Sequence, residues 1–354
     1  MTNRALQSPE VAAKDTTLIA SLLLDLFEKI TNNEPRHYKS WIGHVNGALA
    51  LVRLRGPEQF QDPSALRVLV RLTTNFVISC VASDTPVPNE VSALRAHAGK
   101  YLNVGDPKWR LSDLMVHYAN LRSDIRRGHL SIDNCIRISM ELDAKLQALA
   151  LDMPLSWQYK TTILNRDSDR IYSHHFDSYP DRHATQTWNV LRLARILLNE
   201  SVLELCLTSA EDLTTDACSL SVIMAKDNIE TLACEICASV PQYINCLSAA
   251  RGRLWTPEEF TWPEVVDSAL DGASHVHSPS QNLDCYTLIF PLYVCGRSRG
   301  SPKALRPWVI KQLHYVSNHF GIRNAELVGR ILERGTDVNP WAVYAMLGSY
   351  AFVA

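Results

Sequence analysis

With 354 residues, 46% of them hydrophobic and 20% charged, the chain has the balance of an ordinary globular protein, which excludes a wholly disordered one. A net charge of -2 excludes the overall basic excess with which free-standing nucleic-acid binders neutralise phosphate. Nine cysteines, an odd count, fall mostly in apolar helix-patterned stretches, and no apolar leader follows Met1. They therefore read as reduced, buried thiols of a cytosolic or nuclear protein.

Apolar residues recur every three to four positions along most of the chain. Asp15 or Thr16 caps a predicted helix with a stripe from Leu18 to Ile30. A second stripe, Trp41, Val45, Ala48, Leu49 and Val52, stops at Gly56-Pro57, a terminating glycine followed by a helix breaker. Asp62-Pro63 restarts a helix by pairing a cap with a first-turn proline, and Leu66, Leu69, Val70, Phe76, Val77 and Cys80 follow. Asp106-Pro107 repeats the device ahead of Leu111, Met115, Tyr118 and Leu121. Ser131 opens a stripe through Cys135, Leu142, Leu146 and Leu149.

Met153-Pro154 ends that run, and residues 153–182 read as irregular. Helices resume through Trp188, Leu191, Leu198, Val202 and Leu205, and again through Ile223, Ile229, Leu232 and Ile236 before Pro241. Residues 251–284 read as a loop with short turns, and a last helical region spans roughly 303–350 with breaks near Gly321 and Gly335 to Pro340. The uncharged run Cys285 to Gly296 is too short to cross a bilayer and contains Pro291. The expected fold class is all-α, a large irregular helix array with long loops and no substantial sheet.

Charge is uneven. Acids dominate from Glu200 to Asp284, whereas from Cys285 to Ala325 the charged residues are all basic: Arg297, Arg299, Lys303, Arg306, Lys311 and Arg323. Two oppositely charged faces of one body, solvated or touching, account for this, and an anion or acidic-partner site is the sharper alternative.

The string from Trp41 to Gly56 carries Trp41, His44, Gly47, Ala48, Arg55 and Gly56 in the spacing W-x-x-H-x-x-G-A, then R-G. It resembles the characteristic helix of the fungal-specific transcription-factor domain, the regulatory domain that follows a six-cysteine zinc cluster in many fungal regulators. Further strings resemble that family in order: Pro154 to Tyr159, Trp188-Asn189 with Arg192 and Arg195, Val240 to Tyr243, Leu288 to Tyr293, and Trp308 with Gln312-Leu313 and Gly321-Ile322.

The resemblance implies a nuclear, non-enzymatic regulatory domain that modulates transcription through a small-molecule effector or a co-regulator protein. It implies pairing with itself or with a full-length regulator, no DNA contact of its own and no membrane. The expected organisation is one helical domain, truncated at its N-terminus, with halves at 1–150 and 183–354 joined by 151–182. No cofactor is expected in this chain, since zinc would belong to the missing cluster. Physical packing accounts for the central string as well. Gly43 and Gly47 permit close helix approach, His44 serves as a hydrogen-bonded structural histidine, and Arg53 and Arg55 complement the helix C-terminus or pair with acids.

Cys234 and Cys237 form the only Cys-x-x-Cys, in an apolar helix with Cys246 next, and two thiols do not close a structural zinc site. Gly296-Arg297-Ser298-Arg299-Gly300 matches the nucleophile-elbow pentapeptide of serine hydrolases, with His314 or His319 and Asp337 as partners. The expected chain order of that triad fails, and a turn between helices is the alternative. His275 and His277 with Asp271 and Asp284, and His174-His175 with Asp177 and Asp181, are loop pairs lacking an evident third metal ligand. A helical interaction scaffold without a transcriptional link is a further reading.

Overall fold

The computed structural model describes residues 60–165, 168–208, 215–244 and 279–347, together with 49–56 and isolated positions before 60 and at 277. These residues are all-α in class, with eleven helices and one small two-stranded sheet among them. They divide into two compact units, residues 1–151 with 339–354 and residues 152–338. The first expected helix lies largely outside the described residues.

The first unit contains α1 (Pro63–Ser83), α2 (Asn89–Ala98), α3 (Pro107–Arg127), α4 (Ile132–Leu151) and α11 (Pro340–Met346). Local chemistry sets its boundaries. The Asp62 carboxylate accepts from the backbone N–H groups of Ser64 and Ala65, with Pro63 in the first turn. Asp106 caps α3 in the same way, and Gly128 ends that helix at φ 68. The predicted stripes are buried: Leu66, Leu69, Phe76 and Val77 on α1, Leu111, Met115, Tyr118 and Leu121 on α3, and Cys135, Leu142, Leu146 and Leu149 on α4. By length and composition, α1 is apolar enough to cross a membrane, but it packs along α3 with Leu69, Leu72, Val77 and Val81 covered. Arg122 fastens its end, donating from Nε to the Val81 carbonyl at 2.8 Å and pairing with Asp84 at 2.5 Å.

The second unit is built on α5 (Arg182–Thr208), with α6 (Thr215–Ala238) packed along it and the short α7 (Val240–Ile244) following. α8 (Pro279–Arg297), α9 (Leu305–Phe320) and α10 (Arg323–Arg334) pack on one another, and α8 also meets α5 and α6. α5 is buried on nearly every side, which makes it the central helix of the unit. Part of the stretch expected to be irregular is ordered, with a short 3₁₀ turn at Leu155–Trp157 and an antiparallel hairpin. Its strands are β1 (Lys160–Ile163) and β2 (His175–Ser178), with Lys160 opposite Ser178 and Ile163 opposite His175.

Two expectations need correcting. Residues 279–284, read from the sequence as loop, are the first turns of α8, and Pro291 sits inside that helix rather than breaking it. The proline removes one backbone donor, yet Leu288, Ile289, Leu292 and Tyr293 around it are fully covered, so packing outweighs the lost bond. Ile223, expected in the buried stripe of α6, is 57% exposed beside exposed Leu220 and Met224.

Candidate functional site: a buried guanidinium centre

An arginine in the middle of a helix that is buried on nearly every side cannot reach water, so it must find its partners inside. Arg192 on α5 has no solvent-accessible surface. Its guanidinium carbon lies 5.1 Å from the Tyr159 ring centre, 5.1 Å from Trp188 and 5.7 Å from Tyr179, so three aromatic rings surround it. Nε donates to Glu235 Oε2 on α6 at 2.9 Å, and Nη1 donates to the Tyr179 hydroxyl and, at 3.4 Å, to Asn189 Oδ1. Nη2 is buried and has no hydrogen-bond partner among the described residues.

The rings are themselves held. Trp188 Nε1 donates to the Trp157 carbonyl at 2.8 Å, and Tyr159 stands edge-on to Trp188 with centres 5.1 Å apart. Gln242 on α7 clamps Tyr179 from both sides: its Oε1 accepts from Tyr179 N at 2.9 Å and its Nε2 donates to Tyr179 O at 3.1 Å. Asn189 Nδ2 donates to Ser239 Oγ at 2.9 Å. On the hairpin, Asp177 accepts from Thr161 Oγ1 at 2.7 Å. Arg192 thus ties α5 to α6 and to the ends of the hairpin, and α7 joins through Gln242 and Tyr179.

Electrostatics follow from that enclosure. Burial pushes the Tyr179 and Tyr159 phenols above the ordinary tyrosine value, with the Arg192 charge pulling the other way. Burial opposes the guanidinium charge, while Tyr179, Glu235 and Tyr159 more than offset it, so Arg192 stays charged. Burial also raises Asp177, against the pull of Thr161 and Arg192.

The strings Pro154 to Tyr159, Trp188 to Arg192 and Val240 to Tyr243 all contribute to this centre. Tyr179 and Glu235 were not anticipated. Glu235 stands 43 positions from Arg192, and no local pattern joins them; the usable signal was an arginine flanked by Leu191 and Leu193.

The structure places the other candidates elsewhere. Trp41, His44 and Ala48 lie outside the described residues. Residues 49–55 are helical, Leu49 and Val52 are buried, and Gly56 ends the helix at φ 68. Arg53 pairs with Glu90. Gly47 is exposed, and a β-carbon there would meet nothing within 4 Å among the described residues, so the close helix approach expected of it is not seen.

Ser298 is buried and follows a helix, with its N–H donating to the Val294 carbonyl at 3.1 Å, whereas a nucleophile elbow requires a preceding strand. Its hydroxyl oxygen accepts from the Gly300 N–H at 3.4 Å. His314 pairs with Glu333 at 2.7 Å, and the His319 ring packs against Tyr315 and His277. The pentapeptide's glycines have a packing role. A β-carbon on Gly296 would stand 2.9 Å from Leu332 Cδ1, and one on Gly300 would stand 3.0 Å from Ile229 Cβ.

His275 and Asp271 lie outside the described residues. His277 faces Gln281 and the His319 carbonyl, and Asp284 faces Arg182 at 3.6 Å. His175 turns to the Ser173 carbonyl, and Asp181 caps α5 through the Ala184 N–H. Among the described residues no group of three or more His, Cys, Asp or Glu side chains is arranged to hold a metal.

The charge asymmetry resolves partly inside the unit. Arg297 pairs with Glu200 at 3.0 Å and with Asp337 at 2.9 Å, and Lys311 pairs with Asp169 at 2.6 Å. Compared with known proteins, the chain matches no family model, no curated protein and no solved structure.

Proposed function

We propose that this chain is the helical regulatory body of a transcription regulator of the fungal zinc-cluster type, acting through an effector or a partner protein rather than through DNA contacts of its own. The observation that carries the reading is the convergence of three separated strings, each noted for its resemblance to that domain, on the one buried centre around Arg192. A regulatory body needs an interior that transmits a change at one helix to several others. A fully enclosed cation on α5, held by Glu235 of α6 and by the tyrosines at the two ends of the hairpin, provides such a link, because it cannot shift without disturbing them. The all-α architecture and the net charge of -2 fit a domain that leaves phosphate recognition to another module.

The test is a tethering assay. The full chain, fused to a heterologous DNA-binding domain, is expected to raise or lower a reporter several-fold relative to that domain alone. A folded fusion with no effect on the reporter would overturn the reading. Covalent labelling of Ser298 by a fluorophosphonate probe would redirect it toward hydrolysis.

A further inference from the structure

The hairpin has two edges, and the fold covers one of them. Leu164 N–H donates to the His174 carbonyl at 2.7 Å, in register with Thr162 opposite Phe176 and Lys160 opposite Ser178. In an antiparallel ladder these alternate residues turn their backbone groups toward β2, so Thr161 and Ile163 turn theirs away. On the other strand, β2 packs on α6 and α7, and Gln242 takes both the N–H and the carbonyl of Tyr179 just past its end. Among the described residues no backbone hydrogen bond reaches Thr161 or Ile163 from the outer side; Thr161 is exposed and Ile163 is 76% exposed. The outer edge of β1 is therefore a row of unused donors and acceptors.

We propose that this edge pairs with the same edge of a second copy of the chain, antiparallel and centred on Thr162, so that the two-stranded hairpins join as one four-stranded sheet.

Register, side chains and closure all fit a second copy. With a two-fold axis at Thr162, Thr161 of each copy stands opposite Ile163 of the other, and each such pair exchanges N–H to carbonyl bonds in both directions. β-Branched side chains then meet across the new seam, and Lys160 stands opposite Leu164, so no like charges are brought together. The far edge of each hairpin already lies against α6 and α7, which leaves no place for a third copy, and assembly stops at two. Two strands of four residues cover less than the about 1,200 Å² of a stable interface, so the dimer is reversible, with a dissociation constant in the micromolar range. Tyr159, one of the rings around Arg192, leads directly into β1, so a strand held by a second copy holds that ring as well. The dimer stands on the strand's geometry and does not depend on the chain regulating transcription.

The test is sedimentation velocity on the full chain from about 1 to about 300 µM, with residue-resolved hydrogen–deuterium exchange at both ends of that range. The weight-average mass is expected to climb toward twice that of the monomer, and the Thr161 and Ile163 amides are expected to gain protection only at the high concentration. Ile163→Pro removes one outward donor while leaving the bonds of Thr162 and Leu164 to β2, and is expected to weaken the dimer by about tenfold. Ile163→Lys, which charges the edge without altering its backbone, is expected to weaken it too, and Ile163→Val to preserve it. Unchanged far-ultraviolet circular dichroism in all three separates loss of pairing from loss of the fold. A monomer at every concentration would overturn the proposal, even one whose edge accepts a foreign extended peptide. So would wild-type self-association in both Ile163→Pro and Ile163→Lys, or protection of the two amides that is equal at both concentrations, which would mean that this chain covers its own edge.

Discussion

Arg192 and Glu235 meet across α5 and α6 with Nε 2.9 Å from Oε2, the arginine wholly enclosed and the glutamate about one-third exposed. The asymmetry decides how the pair responds to substitution. Removing one partner from a fully buried ion pair costs about 3–5 kcal/mol, and Glu235's partial exposure lets water recover some of that. Arg192→Met is therefore expected to lower unfolding stability by about 2–4 kcal/mol, read from urea denaturation. Arg192→Lys should recover little of the loss. An ammonium is a compact point charge that cannot donate along both directions of the guanidinium plane while lying among three rings.

Glu200 makes the second unit's stability depend on pH. Burial raises its carboxyl above the ordinary value of 4.5, while Arg297 and Ser298 pull it down. Because the folded value exceeds the unfolded one, the folded state holds the proton more readily. The stabilisation is full below 4.5 and is lost as pH rises through the folded value. Asp177, raised in the same way, adds to the trend, whereas Asp337, lowered by Arg297, contributes in the opposite sense only in stronger acid. Glu200→Gln, which cannot ionise, is expected to flatten the fall in urea midpoint as pH rises above 4.5.

Gly300 and Gly296 should respond differently to an added methyl. At Gly300 the methyl would press on Ile229 through its Cβ, Cγ2 and Cδ1, each 3.0 Å away, and a β-branched side chain yields little. At Gly296 the nearest atom is the far end of the flexible Leu332 side chain, with Val309 Cγ1 next at 3.1 Å. Gly300→Ala is expected to destabilise by about 1–3 kcal/mol and Gly296→Ala by less, as measured by thermal melting.

In the first unit, Asp62 and Asp106 each satisfy two backbone donors at a helix start. Replacing either with alanine should cost about 1 kcal/mol, and both together should cost nearly the sum, since they cap different helices. Urea titrations of the two single variants and the double variant check this.

What was legible in the sequence was local. Asp62-Pro63 and Asp106-Pro107 announce helix starts because a cap and a first-turn proline act within one turn. Gly321 and Gly335 mark helix ends because they adopt φ 68, which side chains resist. The hairpin was not legible, because its strands are four residues long and β2 depends on contacts with α6 and α7. Helix α8 was missed because Pro291 and an unbroken apolar run obscure its period, and tertiary burial overrides both. At the site, the strings around Tyr159, Trp188 and Gln242 were visible, but not that they meet. Glu235 acts on a residue more than forty positions away, where periodicity is silent.

The central claim is that Arg192 links four elements into one cooperative piece. Hydrogen–deuterium exchange on the wild type and on Arg192→Met tests it most directly. The account predicts that amide protection falls together in β1, β2, the C-terminal half of α6 and α7, as well as in α5 beside the substitution. Loss confined to the turns of α5 flanking position 192, with the hairpin and α6 protected as before, would contradict it.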